Sequence, residues 1–222
     1  MEVIVISSKE KFKSEVTHVI GMFELGLDSF HLRKPKFSYK RMADYINEIP
    51  EKYHNRIVIH SYHTLAKKYN LKGIHYTKRH KKKKFKNSLR FLAQKLFRPK
   101  QIVTSSCHDL FSLKEYSEKY EYIFLSPIFD SISKGGHHAG FSLGTIRKNL
   151  RDCKANVFAL GGIEADKIEQ ARKIGFKGVA LLGCLWNTDR DPVKVYQEII
   201  DIAEERTVYS AIANIKTVKI EL

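Results

Sequence analysis

The sequence predicts an α/β fold, a single (β/α)8 TIM barrel. Three observations predict it. Short apolar, β-rich runs alternate with segments of helical spacing along nearly the whole chain. Eight such pairs fit within residues 1–206, and no linker-like stretch divides them. Three stretches, Tyr122–Lys134, Val157–Ile163 and Gly178–Gly183, each begin as a short apolar run and pass into small or hydroxylated residues. That is the composition expected at carboxyl ends of barrel strands, where such folds carry their sites.

The elements follow in order. Val3–Ile6 is strand one, and Lys9–Leu25 a helix with Phe12, Val16, Val19, Ile20 and Phe23 on one face. Asp28–Arg33 is strand two, Phe37–Tyr53 the next helix and Arg56–His60 strand three. A short helix at Thr64–Tyr69 leads to strand four, Lys72–Tyr76. A basic insertion then spans about 78–100, with an amphipathic helix from Phe85 to Leu96 that Pro99 ends. Ile102–Thr104 is strand five, Ser105–His108 its terminal turn, and Leu110–Lys119 a helix. Strand six is Tyr122–Leu125. A polar, glycine-rich loop through Gly135–Gly140 fits a flap. Ser142–Leu150, Glu164–Ile174 and Pro192–Glu205 are helices around strands seven, Asn156–Leu160, and eight, Gly178–Leu182. The C-terminal extension, 207–222, alternates Val218 and Ile220 with polar residues. It suits a strand added at an edge or exchanged within a homodimer.

Composition narrows the function. The 222 residues are 43% hydrophobic and 11% aromatic, enough for one sizeable core. No apolar run approaches the ~18 residues of a membrane span, so no membrane partner is expected. The start reads as a strand and lacks the basic region and long apolar core of a secretory signal. Cys107, Cys153 and Cys184 are odd in number and form no CxxC pair, which points to a reduced, cytoplasmic setting. Lys and Arg number 40 against 24 acids, a net charge of +16. Eleven of these cations and no acid fall between Lys78 and Lys100, leaving about +5 for the rest. The run Lys78–Lys86 would attract phosphate or nucleic acid. A solvated loop and helix face explains it more simply, and no stacking aromatics accompany it. Nucleic acid is not the expected partner.

The strand ends gather His31 and Arg33 (two), His60 (three), His75 (four), Ser106 and His108 (five). Ser131, Ser133 and Lys134 follow strand six, Gly161 and Gly162 strand seven, and Leu182 and Gly183 strand eight. Glycines there let an oxyanion approach backbone N–H groups. His108, after a Ser-Ser-Cys turn, can exchange protons near neutral pH. Carboxylates are missing from the mouth except Asp109 and Asp130, which argues against a glycosidase pair and a carboxylate-held Mg2+. His75 fits a buried core residue as well as a functional one. His60 and His63 make a weak metal pair without a third ligand, so no metal site is assigned. His137-His138 suit solvent, and Cys107 is a poor nucleophile candidate because its side chain diverges from that of His108.

With these residues laid out, the chain from Phe30 to Trp186 resembles the thiamin phosphate synthase and TenI family of compact barrels. The family's Q-x-R-x-K is similar to His31-Leu-Arg33-Lys34-Pro35, its G-V-H-L to Gly73–Tyr76, and its S-x-H to Ser106-Cys-His108. Its G-P-I-F-x-T-x-T-K phosphate loop is similar to Ser126–Lys134, I-G-G-I to Leu160–Ile163, and V-A-V-I-S-A-I-W to Val179–Trp186. Each match is modest; six in the same order are specific. The resemblance implies a thiamin-biosynthesis enzyme holding a thiazole phosphate over Gly162 and Gly183. Ser131, Ser133, Lys134, Arg33 and Ser106 would face pyrophosphate and the reacting pyrimidine.

Departures direct the choice within the family. I-N-D appears as Ile59-His60-Ser61, G-x-x-D ends at His80, and the lysine after strand two is replaced by Pro35 or shifted to Lys34. Both magnesium-binding carboxylates are thus absent; Mg2+ is implied as a cofactor only if the chain is a synthase, and none is otherwise expected. The cations around Lys78 offer an electrostatic substitute; chelator would then leave turnover intact while Lys-to-Ala changes there depress it. The resemblance favours the TenI-like activity, a metal-independent tautomerisation of a thiazole carboxylate phosphate through His108. The alternative is the synthase, which joins hydroxymethylpyrimidine diphosphate to thiazole phosphate and releases pyrophosphate. A barrel that binds ligand or RNA without catalysis is the third reading.

Overall fold

The structure, a computed structural model, describes residues 1–77, 100–129 and 143–204. Eight parallel strands close into a barrel in chain order, β1 pairing with both β2 and β8. They are β1 (Glu2–Ile6), β2 (Phe30–Leu32), β3 (Ile57–Ile59), β4 (Gly73–Tyr76), β5 (Ile102–Cys107), β6 (Tyr122–Leu125), β7 (Asn156–Leu160) and β8 (Gly178–Leu181). The helices are α1 (Glu15–Glu24), α2 (Tyr39–Asn47), α3 (Thr64–Lys68), α4 (Phe111–Ser117), α5 (Leu143–Arg151), α6 (Ile168–Ile174), α7 (Gly183–Trp186) and α8 (192–204).

Side-chain alternation sorts each strand into two faces. One face packs on the helices in a continuous layer that includes Val5, Phe30, Ile57, Ile123 and Leu181. The other fills the barrel: Ile4, Ile6, Tyr122, Phe124, Phe158 and Ala180 form a separate apolar cluster. Gly178 belongs to this tight interior, since a Cβ there would stand 2.5 Å from the Phe158 ring. Apolar filling ends abruptly at β2, β3 and β4, where His31, His60 and His75 are buried instead.

Several boundaries differ from the sequence expectation, each for a local reason. The helix expected from Lys9 begins only at Glu15. Glu15 is itself drawn into the interior by Lys34, which fixes the start of the helix. The helix expected over Phe37–Tyr53 is cut at Asn47, and Pro50 opens a separate 3-10 turn, Glu51–Arg56, as a residue without an N–H must. β5 continues to Cys107 rather than turning at Ser105, paired through Ser105, Ser106 and Cys107 to β6. The segment Ala165–Lys167 is a 3-10 turn before α6, and α7 was not anticipated. The amphipathic helix Phe85–Leu96, the Lys78–Lys86 run, the flap at Gly135–Gly140 and the extension 207–222 lie outside the described residues. No helix among the described residues is long and apolar enough to cross a membrane.

Candidate active site

Two glycine-containing strand ends open on one space. After β7 the chain turns through Gly161 at φ +97° and Gly162 at φ +66°, conformations that side-chain-bearing residues rarely adopt. A Cβ on Gly161 would press at 3.1 Å on Cα and Cβ of Pro127. The Ile128 N–H donates to the Leu160 carbonyl at 3.1 Å, and the Phe129 N–H to that of Gly161 at 3.0 Å. The Ser-Pro-Ile-Phe segment after β6 is therefore laced to the Gly-Gly turn after β7. After β8, Leu182 and Gly183 lead into the single turn of α7. Gly161, Gly162, Leu182 and Gly183 line one cavity of about 510 Å³. Asn187, Thr188 and Arg190 line it too, which the sequence reading missed although they follow β8 closely. So do the carboxylates Glu164, Asp166 and Glu198, the last paired with Arg190.

His108 stands exposed past the end of β5. Its Nδ1 lies 2.8 Å from the Ser126 carbonyl oxygen. A carbonyl only accepts, so Nδ1 carries the proton and Nε2 of the neutral ring keeps its lone pair. Cys107 is buried on the helix-facing side, which removes it as a nucleophile at the mouth. Asp109 is spent on local structure: its carboxylate accepts from the Ser112 N–H at 2.7 Å at the start of α4. Asp130 lies outside the described residues, as do Ser131, Ser133 and Lys134.

Below the mouth is a polar cluster. His31, with no exposed surface, has Nδ1 2.9 Å from His60 Nε2 and Nε2 2.5 Å from Tyr122 Oη. His75 sets Nδ1 2.8 Å from Thr104 Oγ1 and Nε2 2.9 Å from Ser106 Oγ. The His60 and His75 rings stack with centroids 4.1 Å apart. Burial pushes the His31 imidazole down to about 3, with the Lys72 charge adding to it. His60 is held well below its ordinary range, first by burial, then by His75, His31 and Arg33. All this makes His31 and His60 neutral at physiological pH. Spacing in the sequence paired His60 with His63; the barrel instead surrounds it with His31 and His75. The shared interior parity of neighbouring strands was the signal for this.

Arg33 is half-buried, its backbone tied to Ser7 of the β1 end through a 2.8 Å hydrogen bond from its N–H. Lys34 does not replace the family's missing lysine. It is buried, with Nζ 2.7 and 2.5 Å from the two Glu15 carboxylate oxygens and 2.9 Å from the Ser8 carbonyl. A carboxylate-held Mg2+, which the resemblance implies for a synthase, does not fit the described residues at its expected place. There a buried neutral imidazole, His60, is followed by Ser61, and Mg2+ demands hard oxygen ligands.

Known proteins resemble this chain in sequence and in fold. A thiamine-phosphate synthase of Caldicellulosiruptor saccharolyticus is 25% identical over 207 residues, 88% of either chain. Two such synthases from Prochlorococcus marinus strains are 25% and 30% identical over 171 and 111 residues, covering 77% and 49% of this chain. This chain spans less than half of their length, 44% and 31%. The crystal structure of thiamine phosphate pyrophosphorylase from Bacteroides thetaiotaomicron superposes with a TM-score of 0.74 at 27% identity, over 92% of this chain and 98% of that one. The Pyrococcus furiosus protein of the same description, 20% identical with a TM-score of 0.74 over 92% and 96%, attests the fold alone. Residues 3–185 match the family model described as thiamine monophosphate synthase. The chain belongs to the thiamine monophosphate synthase family.

Proposed function

We propose that this protein binds a phosphorylated thiazole at the cavity beside Gly161, Gly162, Leu182 and Gly183 and isomerises it by proton transfer, in the manner of the TenI branch. The observation that carries this reading is the orientation of His108. An exposed imidazole whose Nδ1–H is committed to the Ser126 carbonyl offers Nε2 as acceptor for a substrate proton and, once charged, as donor. Isomerisation needs the proton taken from one atom of the substrate and returned to another, with no external reagent. It needs no metal, in keeping with the poor fit of Mg2+ to His60 and Ser61. Lys134, Ser131 and Ser133 belong to the same proposal as phosphate contacts, and Arg33 and Ser106 as contacts for the substrate's polar end.

A second reading is the synthase, favoured by the activity named for the Caldicellulosiruptor, Prochlorococcus and Bacteroides relatives. One experiment separates the two. The protein is incubated with the carboxylated thiazole phosphate tautomer, or with thiazole phosphate and hydroxymethylpyrimidine diphosphate, each with and without Mg2+, and products are identified. Conversion of the tautomer without Mg2+ supports proton transfer. Thiamin phosphate and pyrophosphate as the products support the synthase instead. Absence of both, together with salt-sensitive RNA binding, would turn the assignment to a non-catalytic barrel.

A further inference from the structure

We propose that His31, His60 and His75 form a site for one divalent transition-metal ion of the Zn2+, Co2+ or Ni2+ class inside the barrel. The proposal rests on these three side chains and not on the reaction proposed above. Each contributes a ring nitrogen, and the three ligand atoms lie within 4.8 Å of one another. Ring centroids are 5.1, 5.5 and 4.1 Å apart for the pairs 31–60, 31–75 and 60–75. An ion at roughly 2.0–2.1 Å from imidazole nitrogens in tetrahedral geometry needs donors about 3.4 Å apart. Small ring rotations on three adjacent strands, β2, β3 and β4, would reach that.

The surroundings fit ligation better than plain core packing. His60 Nδ1 is buried with no hydrogen-bond partner among the described residues, so the ring is held on Nε2 alone and can turn toward an ion. Tyr122 Oη sits on His31 Nε2, and His75 has Thr104 Oγ1 on Nδ1 and Ser106 Oγ on Nε2. That is the outer support that fixes the tautomer of a metal-bound histidine. His31 Nδ1, His60 Nε2 and His75 Nε2 are then the donors, the last exchanging its 2.9 Å contact with Ser106 Oγ for the ion. The contact between His31 Nδ1 and His60 Nε2 at 2.9 Å holds a proton where the cation would enter. Three imidazole nitrogens, with no carboxylate beside them among the described residues, select a borderline transition metal over Mg2+. A fourth position stays for water or for an oxygen of a bound anion.

The test uses the full chain, stripped with chelator and titrated separately with Co2+, Zn2+ and Mg2+, following heat of binding and the visible d–d absorption of Co2+. We expect one equivalent of Co2+ or Zn2+ per chain, an absorption of four-coordinate strength, and no comparable uptake of Mg2+. The variants His31→Gln and His60→Asn, which restore the residues of the family's motifs, keep polar side chains of similar size. Changes outside the ligand shell already weaken metal sites by about 10–100-fold, so each variant should lose at least the upper figure, with thermal melting to verify folding. His63→Ala should bind as the parent does. Absence of a stoichiometric site, equal uptake of Mg2+, or full binding in a folded His31→Gln or His60→Asn variant would overturn the proposal.

Discussion

The His108 imidazole and the Ser126 carbonyl, 2.8 Å apart, join the end of β5 to the segment that reaches over β7. Three residues on, the Phe129 N–H meets the Gly161 carbonyl. The proposed acid/base and the glycine turn are thus connected by four consecutive residues, Ser126–Phe129. His108 does not itself line the cavity beside Gly161. The Ser126–Phe129 bridge is what sets its position relative to a phosphate held there.

Replacing His108 by Gln should remove proton transfer while leaving the barrel intact. General acid–base catalysis contributes about 10²–10⁴-fold, and turnover of the thiazole tautomer should fall by that range. The side chain is exposed, so unfolding free energy should change by no more than about 0.5 kcal/mol. Affinity for thiazole phosphate, measured calorimetrically, should be unchanged within a few-fold. Undiminished turnover would exclude His108 as the base.

Gly161→Ala should be damaging out of proportion to one methyl group. The new Cβ meets the Pro127 backbone, and φ +97° is a strained conformation for alanine. Such strain amounts to about 1–3 kcal/mol, read as a lower denaturation midpoint with unchanged slope. Because the same turn borders the cavity, thiazole phosphate should also give a smaller thermal shift. A variant as stable as the parent would contradict the lacing of the two segments.

The barrel was legible because its signals are local. Alternating apolar runs named all eight strands, and β6 and β7 match residue for residue. What escaped depended on partners distant in sequence. The late start of α1 follows from a buried pair between Glu15 and Lys34, nineteen residues apart. The His31–His60–His75 cluster arises from closure of the sheet, which no spacing within one strand encodes. That Gly161, Gly162 and Gly183 would border one cavity was legible because successive barrel strands end on the same side. The places of Arg190 and Asn187 were not, because polar residues after a strand are ordinary surface. Lys34 shows the converse: a charged residue beside a motif, read as displaced into function, is consumed by the interior.

That buried pair makes its own prediction. Burial raises the Glu15 carboxyl and lowers the Lys34 ammonium relative to their ordinary values, against the pull of the pair itself. Either group left alone would be an uncompensated buried charge. Lys34→Met alone should destabilise by about 3–5 kcal/mol, whereas Glu15→Leu combined with Lys34→Met should recover most of that. Denaturant unfolding of the two variants decides it. Equal loss in both would mean the site depends on packing and not on charge.

Acid should unfold this protein partly through His31. Its folded-state value, about 3, lies below the ordinary 6.5 because the ring is buried. Between those limits the unfolded chain binds a proton that the folded chain refuses, so stability rises with pH across the window and falls as pH drops through it. Each such imidazole contributes a slope of about 1.4 kcal/mol per pH unit, and His60, shifted in the same direction, adds to it. Above 6.5 the term is constant. His31→Gln should therefore flatten the dependence of unfolding free energy on pH between about 6 and 4 by one imidazole's share, with chelator present so that no cation competes with the proton. Added Zn2+ should steepen the parent's curve and not the variant's, because a metal-bound imidazole must lose its ion before it can charge. A variant curve parallel to the parent's in chelator would show that His31 accepts its proton without unfolding the barrel.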